Sequence, residues 1–238
     1  MDLGETDRVL RLLTREAGRL SAIAKGARKP TSRFAGATEP FTLSHMLLAT
    51  GKTFQIVSQC EVEHAFPTLR QDLERIARAA YLAELVERLT DEHEPLPELF
   101  DLFTEALRIL EATGSGMDYV VHMFELQLLS ERGYRPEVLH CVQCGVPATG
   151  AGLGFSPSLG GALCRRHRHE APDAVPIRAD TLQYMAKMLS QPPAAALHAE
   201  LPVEALQDMA RSLRAYIAWH TEPGLRTAEF LEMLRSAP

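Results

Sequence analysis

The sequence predicts a multi-domain α+β protein, with a small β domain over residues 1–65 and an all-α domain over residues 66–238. Three observations predict this class. Short apolar or alternating runs fill the first part of the chain, and from Pro67 the apolar residues recur at helical spacing instead. A cysteine-bearing segment, residues 139–170, interrupts the helical pattern and is predicted to be an inserted loop.

Four runs predict the strands of the first domain: residues 9–14, 19–24, 41–48 and 53–59. Gly18, residues 26–40 and residues 50–51 separate them, as turns separate strands. Short strands at this spacing are typical of a small antiparallel barrel or sandwich. The first run is also compatible with the start of a helix.

The helical domain is predicted from apolar residues three and four positions apart. Predicted helices cover residues 67–89, 96–112, 117–131, 179–190, 203–220 and 225–236. Proline at the start of the first helix and Gly114 and Gly133 after the second and third are typical start and stop signals.

Composition bounds the class of protein. No run approaches 18 apolar residues, and no secretory signal precedes the first strand, so we expect a cytoplasmic protein without a membrane partner. Four cysteines in 238 residues do not indicate a disulfide scaffold. The net charge of −6 disfavours a nucleic-acid partner, but it is unevenly distributed: +4 in residues 1–60, −10 in residues 61–138 and 0 thereafter.

The cysteine-bearing segment carries metal-ligand spacing. Cys141 and Cys144 form a CxxC turn, and after 19 residues Cys164 and His167 form a CxxH turn. Four protein ligands fill a tetrahedron, which predicts a structural rather than a catalytic zinc ion. His140 and His169 are alternative fourth ligands. Unmetallated thiols are the competing interpretation, and a redox CxxC is disfavoured because no βαβ pattern surrounds it.

A basic segment stands out on this acidic chain. Residues 15–38 hold six Lys or Arg side chains and one acid, which is typical of a phosphate-binding surface. The candidate residues for binding nucleic acid are Arg11, Arg15, Arg19, Lys25, Arg28, Lys29 and Arg33. Phe34 and Phe41 are the nearby aromatic residues that could stack on bases. A solvated charged loop is the competing interpretation.

Enzyme signatures are missing from the sequence. There is no GxxxxGK[ST], GxGxxG or GxSxG, and no HxE paired with PCxxC. The carboxylates of residues 84–105 are interpreted as an acidic helical surface or a docking face for a basic partner. We therefore expect a protein that is not an enzyme.

Four segments in this order resemble the RecO family of bacterial recombination mediators. They are GETDRVLRLLTREAGRLSAIAKGARKPTSRFAGATEPF at 4–41, FPTLRQDLERIARAAYLAELVERL at 66–89, LLSERGYRPEVLHCVQCG at 128–145 and GFSPSLGGALC at 154–164. The resemblance implies an N-terminal OB-fold DNA-binding domain, and a helical domain with a zinc knuckle held by Cys141, Cys144, Cys164 and His167. It also implies that Lys25, Arg28, Lys29 and Arg33 help to hold the DNA backbone.

The same resemblance implies a function in DNA repair and recombination. Such a protein binds single- and double-stranded DNA, anneals complementary strands and, with RecR and in some organisms RecF, promotes RecA loading onto DNA coated by single-strand-binding protein. We expect a cytoplasmic, nucleoid-associated location. Arg132 and Arg135 are candidates for the site of the single-strand-binding-protein tail. The alternative function is a protein-interaction scaffold that does not bind DNA and is stabilised by structural zinc; a zinc enzyme would need an open coordination position.

The sequence departs from the family pattern in two places. Family members have about ten residues of first strand ahead of the GE-x-DR segment, whereas this sequence has Met1-Asp2-Leu3 there. We therefore expect either a late start site or a barrel that is open at one edge. The second metal-binding turn is CxxH rather than the family's CxxC, so the zinc prediction depends on these residues themselves.

Overall fold

The computed structural model describes residues 2–3, 6–51, 54–199, 201–221, 225, 227–228, 230–231 and 233. The chain forms two compact units. The first unit comprises Met1–Ala79 and Thr90–Glu111, and the second comprises Ala80–Leu89 and Ala112–Pro238. The boundary predicted between residues 65 and 66 stays a prediction. It marks where the sequence pattern changes, whereas the two units are defined by which segments pack together.

The first unit is built on a five-stranded sheet. Its strands are β1 (Asp2–Leu3), β2 (Asp7–Thr14), β3 (Gly18–Ala24), β4 (Leu43–Ala49) and β5 (Gln55–His64), in the order β1-β2-β3-β5-β4. Neighbours are antiparallel except β3 and β5, which are parallel. The four predicted strands are confirmed, and the helical alternative for residues 9–14 is wrong; Thr53 lies outside the described residues. No pairing that closes a barrel occurs among the described residues, so the OB-fold stays a prediction.

Alternation explains the core of this sheet. In β3 every second residue is buried, beginning with Gly18, so Leu20, Ala22 and Ala24 share one face. A strand places alternate side chains on opposite faces, and this face packs with Leu10, Val57 and two residues of the following connection, Ala27 and Phe34.

Three helices follow the sheet: α1 (Pro67–Gln71), α2 (Leu73–Leu89) and α3 (Pro97–Ala112). The single helix predicted over residues 67–89 is wrong in one respect, because the chain breaks at Asp72. The Asp72 side chain accepts hydrogen bonds from the N–H groups of Glu74 (2.9 Å) and Arg75 (3.2 Å), and so it caps the start of α2.

The helices of the second unit are the end of α2, α4 (Met117–Glu131), α5 (Ala179–Ser190) and α6 (Val203–His220). The α4 helix is buried on almost every side, including Val120, Met123, Phe124 and Leu128. Half of the last predicted helix, residues 225–236, lies within the described residues, where 227–228, 230–231 and 233 are helical and 225 is not. No helix in the described ranges combines the length and hydropathy needed to cross a membrane.

The prediction of an all-α second domain is wrong, because this unit contains a three-stranded antiparallel sheet. Its strands are β6 (Leu153–Ser156), β7 (Gly161–Leu163) and β8 (Val175–Ile177), in the order β7-β6-β8. All four residues of β6 and all three of β7 are buried. Strands this short and buried on both faces show no alternation, and their glycines resemble a loop in the sequence.

Candidate metal centre and basic surface

The two cysteine turns come together in the second unit. One ligand atom each from Cys141, Cys144, Cys164 and His167 lies within 4.8 Å of all the others, so the group could bind a metal ion. The Cys144 and Cys164 Sγ atoms are 4.0 Å apart. The Nδ1 atom of His167 is 3.4 Å from Cys164 Sγ and 3.6 Å from Cys141 Sγ. The group does not include His140 or His169, the two alternatives that the sequence left open.

The first pair of ligands is fixed by its own backbone. The N–H of Cys141 donates to the carbonyl of Val146, and the N–H of Gly145 donates to the carbonyl of Cys141, both at 2.8 Å. Gly145 has a φ of 72°, a conformation that favours glycine. The Glu137 carboxylate accepts from the N–H groups of Leu139 (2.7 Å) and His140 (3.0 Å), a contact that no spacing in the sequence indicates.

The second pair follows β7. Cys164 comes directly after that strand, and the N–H of Arg168 donates to its carbonyl at 2.9 Å. A single 3₁₀ turn, His167–His169, then directs the His167 ring back toward the sulfurs. Its other nitrogen, Nε2, lies 4.0 Å from the Glu170 carboxylate.

The electrostatics of the cluster favour thiolates at two positions. Burial raises the pKa of the Cys141 thiol, but backbone N–H groups of Cys164, Gln143 and Cys144 outweigh it and lower that pKa to about 6. The N–H of His167 is the largest cause of a lowered pKa at Cys164. Because the thiolate is the form that binds metal, this backbone arrangement suits a metal centre.

The cluster offers four protein ligand atoms, enough to fill a tetrahedral centre. Cys141 is buried and packs with Leu163 and Ala171 in a core of its own, which Val142 and Ala174 partly cover. A centre with four protein ligands stabilises a loop, whereas a catalytic metal keeps a position for water. The fourth cysteine, Cys60, lies on β5 of the first unit, where burial raises its pKa.

The connection between β3 and β4 forms a basic surface, defined here as Lys25, Arg28, Lys29 and Arg33, all of them exposed. Its backbone is folded rather than extended. The N–H of Gly26 donates to Asp7 Oδ1 (2.8 Å), and the N–H of Arg28 donates to the carbonyl of Thr6 (3.0 Å).

Two buried side chains hold the basic surface against the sheet. Ala27 is 3% exposed and Phe34 is 6% exposed, and both belong to the core of the first unit. The Phe34 ring is therefore covered, with the Arg33 guanidinium 4.8 Å from its centroid. Phe34 is not available to stack on a base, whereas Phe41 is half-buried, with a φ of 56°.

The other three candidate DNA-binding residues differ in their surroundings. Arg11 is exposed on β2. Arg15 forms a two-pronged ion pair with Asp101, at 3.0 and 2.7 Å. Arg19 is half-buried and donates to the Thr90 side chain (2.7 Å) and carbonyl (2.5 Å), so Arg15 and Arg19 both have partners within the first unit.

Sequence reasoning missed a buried polar group in the second unit. The Tyr81 hydroxyl donates to Glu125 Oε1 (2.5 Å), and His122 Nδ1 lies 2.7 Å from Glu125 Oε2. All three side chains are less than a tenth exposed. Nothing local in the sequence indicates them, because Tyr81 is 44 positions from Glu125 and each residue lies in an ordinary helical pattern.

Two family models match the chain. The model described as Recombination protein O N terminal matches residues 1–66, and Recombination protein O C terminal matches residues 70–229. Relatives named DNA repair protein RecO include that of Pelotomaculum thermopropionicum, 40% identical over 100% of this chain and 91% of the relative. The one from Symbiobacterium thermophilum is 36% identical over 98% of this chain and 93% of the relative. The chain therefore belongs to the RecO family, as its sequence segments predict.

Proposed function

We propose that this chain is a DNA repair protein that binds single- and double-stranded DNA and anneals complementary strands. The observation that carries the proposal is the basic surface of Lys25, Arg28, Lys29 and Arg33. Four exposed cations lie on a backbone that Ala27 and Phe34 anchor in the core, on a protein whose net charge is −6. One of them, Arg33, also donates to the Ser58 carbonyl at 2.9 Å. The names of the relatives support DNA repair as its setting.

The proposed mechanism is electrostatic and independent of base sequence. Lys and Arg side chains neutralise phosphates, and the release of counterions makes the affinity fall steeply as salt is added. Two strands held on cations repel each other less, so complementary bases can meet. Arg11 extends this surface along β2, whereas Arg15 and Arg19 contribute through the Asp101 and Thr90 contacts that hold them in place.

We further propose the cellular role that the family resemblance implies. With RecR, and in some organisms with RecF, the protein promotes RecA loading onto DNA coated by single-strand-binding protein. It acts in the cytoplasm at the nucleoid, through binding and not through catalysis. In this proposal residues 1–65 form an OB-fold DNA-binding domain, and residues 66–238 form the partner-binding domain with its knuckle at 139–170.

The metal that we propose for the Cys141, Cys144, Cys164 and His167 cluster is a structural zinc ion. A tetrahedron with ordinary zinc–sulfur and zinc–nitrogen bonds has edges of about 3.8 Å between sulfurs and about 3.6 Å between sulfur and nitrogen. The distances of 4.0, 3.6 and 3.4 Å between these ligand atoms agree with such edges.

Reversing charge on the basic surface tests the proposed function. We expect Arg28→Glu/Lys29→Glu to weaken binding of a labelled single-stranded oligonucleotide at least tenfold at low salt, because two phosphate contacts become repulsive. Fluorescence anisotropy over a salt series measures the affinity, and the slope of log affinity against log salt should decrease. Annealing of complementary strands should slow in parallel.

The matched control is Arg88→Glu/Lys187→Glu, which makes the same change in net charge on exposed residues of the second unit. The control should bind the oligonucleotide nearly as tightly as the parent. Equal losses in the two variants would show a general charge effect and contradict the basic surface as the contact. A parent that binds no DNA at low salt would support the alternative of a protein-interaction scaffold.

A further inference from the structure

A cleft of about 550 Å³ opens in the second unit beside α6. Small and aliphatic side chains form most of its lining, among them Val121 of α4, Val175 of β8, and Ala215 and Ala218 of α6. A cleft of this size with apolar walls can admit one planar ring system of the size of a base.

The floor of the cleft contains an unmet hydrogen-bonding group. His122 lines the cleft and is 3% exposed, and its Nε2 atom has no hydrogen-bond partner in the part of the chain that the structure describes. Glu125 Oε2 lies 2.7 Å from Nδ1, and in the tautomer that donates from Nδ1 to this carboxylate the Nε2 atom is an acceptor. Burying such an atom without a partner destabilises the fold, so a ligand that donates an N–H would be favoured there.

The rim of the cleft is cationic and carries an exposed aromatic ring. Arg211 and Arg214 line the cleft from the exposed face of α6. Trp219, which is 59% exposed, follows the cleft residue Ala215 by one helical turn and so lies on the same side of the helix. Arg211 also donates to Asp208 Oδ1 at 2.6 Å and to the Pro176 carbonyl at 3.2 Å, so its charge is shared with a neighbouring carboxylate.

We infer that this face of α6 is a second nucleic-acid contact, in which single-stranded DNA places a base in the cleft and stacks a neighbouring base on Trp219. Phosphates would lie at Arg211 and Arg214, because single strands are bound where cations and exposed rings alternate. A base has flat faces that fit the apolar walls of the cleft. It also has N–H groups that can donate to His122 Nε2. The inference rests on the proposed function and adds the stacking ring that the basic surface, with Phe34 buried, does not provide.

Trp219 is the only tryptophan, so its emission reports on this face alone. We expect a single-stranded oligonucleotide of about 15 nucleotides to quench that emission saturably in the full-length protein. Trp219→Ala should weaken binding about 5- to 100-fold by anisotropy of the labelled oligonucleotide, whereas Trp219→Phe, which keeps a ring, should bind nearly as the parent does. Ala218→Phe, which fills the mouth of the cleft, should also weaken binding.

Gln207→Phe is the matched control for the cleft, because Gln207 is exposed on the same helix about 16 Å before Ala218. It should bind the oligonucleotide as the parent does. Binding by anisotropy without any change in Trp219 emission would overturn this inference and leave the proposed function standing. Emission that shifts with protein concentration but not with oligonucleotide would assign the face to self-association and would also overturn it. The Arg28→Glu/Lys29→Glu variant should still quench Trp219, at higher oligonucleotide concentrations.

Discussion

Some close contacts within the first unit require one particular residue, and Gly18 is the clearest example. It has a φ of 67°, and a Cβ atom at this position would lie 1.9 Å from the carbonyl oxygen of Glu94. The backbone approaches so closely because the N–H of His93 donates to the carbonyl of Arg19 at 2.8 Å. The turn before α3 therefore rests directly on the start of β3.

We predict that Gly18→Ala lowers the free energy of unfolding by about 2–4 kcal/mol, because the methyl group meets backbone and the conformation is left-handed. The midpoint and slope of urea unfolding would measure the loss. Gly36→Ala is the control, since an added Cβ there has no atom within 4 Å. If Gly18→Ala is as stable as the parent, the Glu94 backbone has room for a methyl group at position 18, which contradicts the prediction.

The sequence predicted the role of a residue where the residues that determine it lie close together in the chain. Spacing alone favoured His167 over His140 and His169, and the structure places His167 with the three cysteines. The pairing of Arg15 with Asp101 spans 86 positions and that of Arg19 with Thr90 spans 71, so no window of sequence could reveal either. The Tyr81, Glu125 and His122 group escaped prediction for the same reason.

At the scale of elements, helices and long strands were predictable and short strands were not. The α5 and α6 bounds agree with the predicted helices because each has an apolar period, and those of α4, which is buried on almost every side, agree because Gly116 and Gly133 flank a long apolar run. The second sheet escaped because β6, β7 and β8 have four, three and three residues. The break at Asp72 escaped because the apolar period continues across it.

The cap of α2 gives a prediction with a defined pH dependence. Partial burial raises the pKa of the Asp72 carboxyl, but the N–H groups of Arg75 and Glu74 outweigh it and hold that pKa below its usual value. A carboxylate with a lowered pKa stabilises the fold above its unfolded pKa, and the effect disappears as the pH falls through the folded pKa. We predict that Asp72→Ala lowers the free energy of unfolding by about 1 kcal/mol at pH 7.

Asp72→Asn separates the hydrogen bonds of the cap from its charge, because an amide oxygen still accepts from both N–H groups. It should be closer to the parent than Asp72→Ala at pH 7, and its difference from the parent should shrink as the pH is lowered below 3.8, the ordinary pKa of this carboxyl. Chemical unfolding at several pH values would measure this. A constant difference between parent and Asn variant would rule out the charge as the cause.

At the scale of the molecule, positive and negative charges are concentrated in different parts of the sequence, but the first unit combines segments from both parts. The positive excess lies in residues 1–60 and the negative excess in residues 61–138, yet the first unit draws on both through α1, α3 and the start of α2. Sequence patterns divide the chain where the period changes near Pro67. They could not show that the helix of residues 97–111 packs in the same unit as the sheet, because that grouping depends on contacts between distant segments.

The metal centre gives a prediction about the stability of one segment of the second unit. We predict about one zinc ion per chain by elemental analysis, and its loss in Cys141→Ser/Cys144→Ser. Without the ion, amide hydrogen exchange should quicken in residues 139–170, because beside the ligands the buried cluster is only Cys141, Leu163 and Ala171, while the amides of α4 stay protected.

Cys60→Ser is the matched control for the zinc measurement, since Cys60 lies on β5 and outside the cluster. It should retain the full zinc content and the exchange pattern of the parent. A parent protein that is fully folded and purified without any zinc would refute the proposal of a structural ion.

The folded backbone of the basic surface also bears on the speed of association. A disordered basic tail must lose conformational freedom when it meets its partner, whereas here Ala27 and Phe34 have already fixed the chain. Encounter with DNA should therefore be governed by diffusion and long-range attraction, with no slow ordering step afterwards. The association rate constant should rise steeply as ionic strength falls, and the transient kinetics should show a single phase.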